Sequence, residues 1–72
     1  MNNDIMLRFR IQTRQGVSNE LLPSGYKNWQ IWVSAHKGFG QGYATISTCN
    51  TAFQLVVDQE GVYNVLAIGE KV

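Results

Sequence analysis

Residues 50–61, Asn-Thr-Ala-Phe-Gln-Leu-Val-Val-Asp-Gln-Glu-Gly, admit two readings, and the fold class turns on which is taken. As a strand, Phe53, Leu55 and Val57 alternate with polar neighbours, but Val56 interrupts the period of two. As a helix, Thr51 and Gln54 stand at capping-box spacing, and Gly61 falls where a helix end takes a left-handed residue. Asp58 and Glu60 count against the helix, since they lie near its negative end. The capping punctuation favours a short helix. The alternative makes Phe53–Val57 a strand and Asp58–Gly61 its turn.

The segments on either side read as strands. Leu7, Phe9 and Ile11 alternate with Arg8, Arg10 and Gln12, which describes a strand with one face buried. Gly16, Pro23 and Gly25 punctuate the next stretch, which reads as a loop with at most one helical turn at Asn19–Leu22. In Lys27–His36, Trp29, Ile31, Val33 and Ala35 share an apolar face, while Asn28, Gln30, Trp32, Ser34 and His36 share the other. A third strand through Tyr43–Cys49 is expected to form a hairpin with it, because a short connection suits antiparallel neighbours. Val62–Val72 is apolar on both faces, the pattern of an interior strand. The expected architecture is α+β: an antiparallel sheet of about four strands with one short helix packed on one face. The alternative is a small five-stranded all-β barrel.

Seventy-two residues make one domain, 1–72. A chain this short buries only about 60% of the surface it exposes when unfolded, so its core wants reinforcement. Cys49 is the single cysteine and His36 the single histidine, which removes an internal disulfide and the Cys/His clusters that hold zinc. Self-association is the reinforcement left by elimination, and neither a metal nor a cofactor is expected. The opening Met-Asn-Asn-Asp-Ile-Met-Leu-Arg-Phe-Arg has no basic leader with an apolar run, and a lone thiol fits a reducing cytoplasm.

Net charge is +1, low for a dedicated nucleic-acid binder. It is unevenly spread along the chain. Residues 1–37 hold five cations against two acids, and residues 38–72 hold Lys71 against three acids. Such a split can create a basic side on the folded domain.

Lys37-Gly38-Phe39-Gly40 resembles the first half of the octapeptide that RNA-recognition domains carry on a central strand. The resemblance stops there. Gln41, Gly42 and Ala44 stand where that signature has Phe, Val and a later aromatic, and those aromatics provide its base-stacking surface. Pro23 and its flanking glycines also leave no room for the long helix that family places between its first two strands. Tyr43 occupies the position where a dinucleotide or kinase phosphate loop needs its third glycine. The segment therefore reads as a glycine-rich hairpin loop.

The polar sheet face carries the functional expectation. Arg8 and Arg10 emerge on the same side of a strand, about 6.6 Å apart. Trp32 and Tyr26 have the polar parity of the second strand, and Lys37 and Phe39 occupy the loop tip. Arginine beside exposed aromatics suits the centre of a protein interface, where Trp, Tyr and Arg are enriched. The sequence is thus read as a small non-enzymatic binding module of the inhibitor, adaptor or accessory type. It acts on a protein partner through Arg8, Arg10, Trp32, Tyr26, Lys37 and Phe39, and associates with itself. Nucleic acid is the alternative partner, bound by the Arg/Trp face and the Lys37–Gly42 loop. A thiol enzyme using Cys49 with His36 is the second alternative.

Overall fold

The computed structural model describes residues 4–14, 16–37 and 40–72, the side chains of His36 and Lys37 excepted. It contains six strands: β1 (Ile5–Thr13), β2 (Gly16–Leu21), β3 (Tyr26–Lys37), β4 (Gly42–Ile46), β5 (Ala52–Val57) and β6 (Gly61–Lys71). They form two three-stranded antiparallel sheets, sheet A ordered β1-β6-β3 and sheet B ordered β2-β5-β4.

The registers show how one sheet leads into the other. Thr13↔Gly61 is followed by Gly16↔Val57, and Lys37↔Val62 is followed by Gly42↔Val57. Each sheet-A strand thus passes into a sheet-B strand at the same level, as if one long three-stranded sheet had been folded in half. A straight extended run from Ile5 to Leu21 would span roughly 55 Å at about 3.3 Å per residue. The Cα envelope measures only 36 × 21 × 13 Å, so the strands double back.

Packing across the fold holds it closed. Phe9 on β1 meets Phe53 on β5 edge to face, with ring centroids 5.2 Å apart. At the end remote from the crease, the Trp29 Nε1–H donates across to the Asn50 carbonyl in the β4–β5 turn at 3.0 Å, while the Leu22 N–H, donating to the Thr51 carbonyl at 2.8 Å, extends the β2·β5 ladder by one pair. At the crease, Gln41 and Asp58 extend the β4·β5 ladder by one pair: the Gln41 N–H donates to Asp58 Oδ1 at 2.7 Å, and the Asp58 N–H donates to the Gln41 carbonyl at 3.1 Å. The Tyr63 hydroxyl donates to the Gln59 carbonyl at 2.6 Å. Phe53, Leu55, Tyr63, Val65 and Ala67 are buried in the core between the sheets.

This architecture corrects the α+β expectation: among the described residues the chain is all-β and has no helix. The reason lies in residues 50–61. Phe53, Leu55 and Val57 all face the core, and Val56 faces outward in a row with Val17 and Tyr43, its partners on β2 and β4. An apolar residue on the outer face therefore produced the apparent break in the alternation. Thr51 ends a hairpin turn instead of capping a helix, and Gly61 pairs with Thr13 in a ladder. The alternative had placed Phe53–Val57 in a strand, yet six strands in two sheets are not its five-stranded barrel.

Two further expectations change. Asn19–Leu22 is not a helical turn, since Gly16–Leu21 is the edge strand β2. Its polarity is reversed, with Val17 and Leu21 exposed and Ser18 and Glu20 half-buried, which hides it from a search for apolar-in alternation. Nor do β3 and β4 form a hairpin, because the chain crosses the crease between them and they lie in different sheets. β6 occupies the centre of its sheet, with a strand on each side.

Candidate functional site

The outer face of sheet A is built from alternate residues of β1, β6 and β3. Direct partners on the three strands make transverse rows: Met6–Ile68–Gln30, Arg8–Leu66–Trp32 and Arg10–Asn64–Ser34. Strand alternation places each row, and the unbroken β1·β6 register keeps the rows aligned. Trp32 is 51% exposed and Met6 55%, whereas Trp29, on the same strand, is 6% exposed and faces the core. The two indoles therefore point to opposite sides of β3. Between Arg8 and Trp32 lies an open concavity of about 390 Å³, with Leu66, Asn64 and Ser34 among its lining residues.

Arg8 and Trp32 share a row without touching as a cation–π pair. Leu66 stands between them, and the Arg8 guanidinium lies along its own strand, 3.8 Å from the Met6 sulfur. Arg10 is exposed two residues further along β1. The surface is thus an apolar strip of Ile68, Leu66 and Trp32, edged on the β1 side by two guanidinium groups.

Tyr26 does not join this surface. Asn28 adopts a left-handed φ of 54° within a register shift between Lys27 and Gln30. One extra residue in a strand reverses the facing of everything before it. Tyr26 consequently lies on the core side, 5.9 Å from the Trp29 ring centroid, with the Lys71 ammonium 5.6 Å from its own ring centroid. Phe39 and the Lys37 side chain, expected at the loop tip, lie outside the described residues.

The Cys49–His36 pair is not assembled. Residue 36 lies at the crease end of β3, while Cys49 is exposed in the hairpin turn beyond the far end of β4. The length of β4 separates them, about 17 Å at 3.3 Å per residue. Among the described residues, no three His, Cys, Asp or Glu side chains converge as metal ligands.

The charge split along the sequence is not a split in space. β6, from the acidic half, lies between β1 and β3 from the basic half. Sequence reasoning also missed Leu66, Ile68 and Met6, which give the face its apolar content. The available signal was β6 itself, since a strand apolar on both faces inside a two-layer fold must leave one of those faces outward.

Fold and site together define a small all-β domain of two packed three-stranded sheets, carrying a mixed Arg–Leu–Trp surface on one outer face. No family model matches the chain, and no curated protein or solved structure matches it either. Among the described residues, no helix is long and apolar enough to cross a membrane.

Proposed function

We propose that this chain is a non-enzymatic binding module of the inhibitor, adaptor or accessory type, taking a protein partner on the outer face of sheet A. The observation that carries this reading is the row Arg8–Leu66–Trp32, in which a half-exposed indole and a guanidinium flank an apolar floor. Trp and Arg dominate interface hot spots because a desolvated indole contributes a large contact area and a guanidinium a directed charge. Such a surface suits a partner segment with an apolar or aromatic side chain for the Leu66 floor and a carboxylate for Arg8 or Arg10. The single exposed thiol of Cys49 suits a reducing compartment such as the cytoplasm.

Nucleic acid is the second reading, favoured by the same juxtaposition of arginine and indole, which can neutralise phosphate and stack bases. The net charge of +1 weighs against it, as does Glu70 on the same sheet face.

The test places a photoreactive benzophenone amino acid at position 32 in the native host and, as a control, at position 17 on the other sheet. The expected result is a protein adduct at position 32 that disappears with Arg8→Glu and is absent from position 17. A nucleic-acid adduct transfers the assignment to the second reading. No adduct at position 32 overturns both.

A further inference from the structure

We infer that two copies of this chain join edge to edge through β1, antiparallel across a two-fold axis, with Leu7 opposite the partner's Leu7. This goes beyond the outer-face reading and does not depend on it. Four strands form the sheet edges among the described residues: β1 and β3 in sheet A, β2 and β4 in sheet B. An open edge presents unpaired backbone groups, and proteins blunt such edges with bulges, charged side chains (lysine above all), prolines or short length. β3 is bulged at Asn28, shifts register again between Ala35 and Lys37, and carries Lys27. β2 and β4 have only six and five residues. Of these devices β1 has only charge, in Arg8 and Arg10: it runs nine residues in one unbroken register with β6, with no proline, lysine or glycine.

The charges on β1 select the register. Along an edge strand the outward N–H and C=O groups belong to alternate residues, so two copies exchange hydrogen bonds only when residues of like parity oppose each other. Those registers also keep outer face with outer face. Centring the pair on Arg8, Phe9 or Arg10 sets guanidinium against guanidinium, which is unfavourable directly across a ladder. Centring it on Leu7 places Asp4 opposite the partner's Arg10 twice over, and Arg8 opposite the partner's Met6. On the core side, Ile5 then meets the partner's Phe9. Centring on Met6 also pairs Asp4 with an arginine, but engages five described residues of each strand where the Leu7 register engages seven. Ile5, Leu7 and Phe9 are only half-buried in one copy, so the partner strand covers them further. The result is a continuous six-stranded sheet with the four guanidinium groups of Arg8 and Arg10 at its centre and a Trp32 on each flank.

Light scattering across a concentration series tests this on the full chain. The expected mass is twice 8.1 kDa. Asp4→Arg and Arg10→Asp each weaken the dimer about tenfold, and the two together restore it, because charge opposition is recovered across both symmetry-related pairs. Both positions are exposed, so circular dichroism stays unchanged. In a Cys49→Ser background, Leu7→Cys yields a disulfide-linked dimer, since directly opposed Cα atoms lie about 4.5–5.5 Å apart, within bridging range. Trp32→Ala leaves the mass unaltered, which separates this interface from the outer-face partner site. A monomer at every concentration overturns the inference, as does a dimer indifferent to the charge exchange.

Discussion

Gly69 lies directly under the indole of Trp29: a Cβ at position 69 would fall 2.8 Å from both Cε3 and Cζ3 of that ring. β6 thus gives up a side chain at one inner position so that β3 can lay its largest residue across it. The indole so placed reaches the Asn50 carbonyl on the opposite sheet. A glycine on one strand, a tryptophan on the next and a turn carbonyl on the other sheet form one closure at the open end of the folded sheet.

Gly69→Ala is therefore expected to destabilise the domain by about 1–3 kcal/mol, the range for forcing extra volume into a packed core. In a domain of this size each kcal/mol lowers the thermal midpoint by roughly 4–8 °C. The cost is steric, because a rigid ring cannot yield as a flexible chain end would. Thermal unfolding followed by circular dichroism measures it. A midpoint equal to wild type would mean that Trp29 does not rest on β6.

The crease has its own fastening. Tyr63 is 1% exposed, and its hydroxyl bonds the Gln59 carbonyl four residues earlier, in the turn that joins the sheets. Tyr63→Phe keeps the ring in the core and removes that bond alone, so the expected loss is about 1 kcal/mol. Urea unfolding should show a lower midpoint with an unchanged slope, because the surface exposed on unfolding is the same.

What could be read from the sequence followed the strength of the local pattern. Leu7–Gln12 alternates without interruption and lies within the strand Ile5–Thr13; Trp29 and Trp32, three apart, diverge as the strand period requires. Two kinds of signal misled. At residues 50–61 a capping pair and a terminal glycine outweighed the alternation, but a helix of about nine residues has little stability of its own, and tertiary packing decided for the strand. At Tyr26 the parity count failed because Asn28 inserts a bulge, and a single sequence gives no warning of where a strand will take an extra residue. β2 was concealed by its reversed polarity, and no inspection of residues 16–21 alone shows that Ser18 and Glu20 turn inward.

The opposed indoles give a direct optical test of the candidate surface. Trp32→Phe should remove the part of the emission that acrylamide quenches readily and leave the shielded, blue-shifted emission of Trp29. Stability should stay within about 0.5 kcal/mol of wild type, as for a surface position away from the core. Trp29→Phe should do the reverse, leaving quenchable emission and a less stable protein. Equal quenching in both variants would place the two rings in similar surroundings and remove Trp32 from the proposed contact face.

Adjacent residues of β5 separate the strand from the helix it resembled. Leu55 has no exposed surface and packs between the sheets, while its neighbour Val56 lies on the outer face between Val17 and Tyr43. Leu55→Ala should cost about 2–5 kcal/mol, as deletion of a fully buried leucine does. Val56→Thr keeps the β-branched shape and sets a hydroxyl where solvent can reach it, so its cost should stay below about 1 kcal/mol. Phe53→Ala and Val57→Ala should fall with Leu55, and Gln54→Thr with Val56, a period of two that denaturation midpoints can resolve. Were residues 52–60 a helix on the sheet, severity would instead recur three and four residues apart: Phe53, Val56 and Val57 would be the costly positions, and Leu55 would be spared.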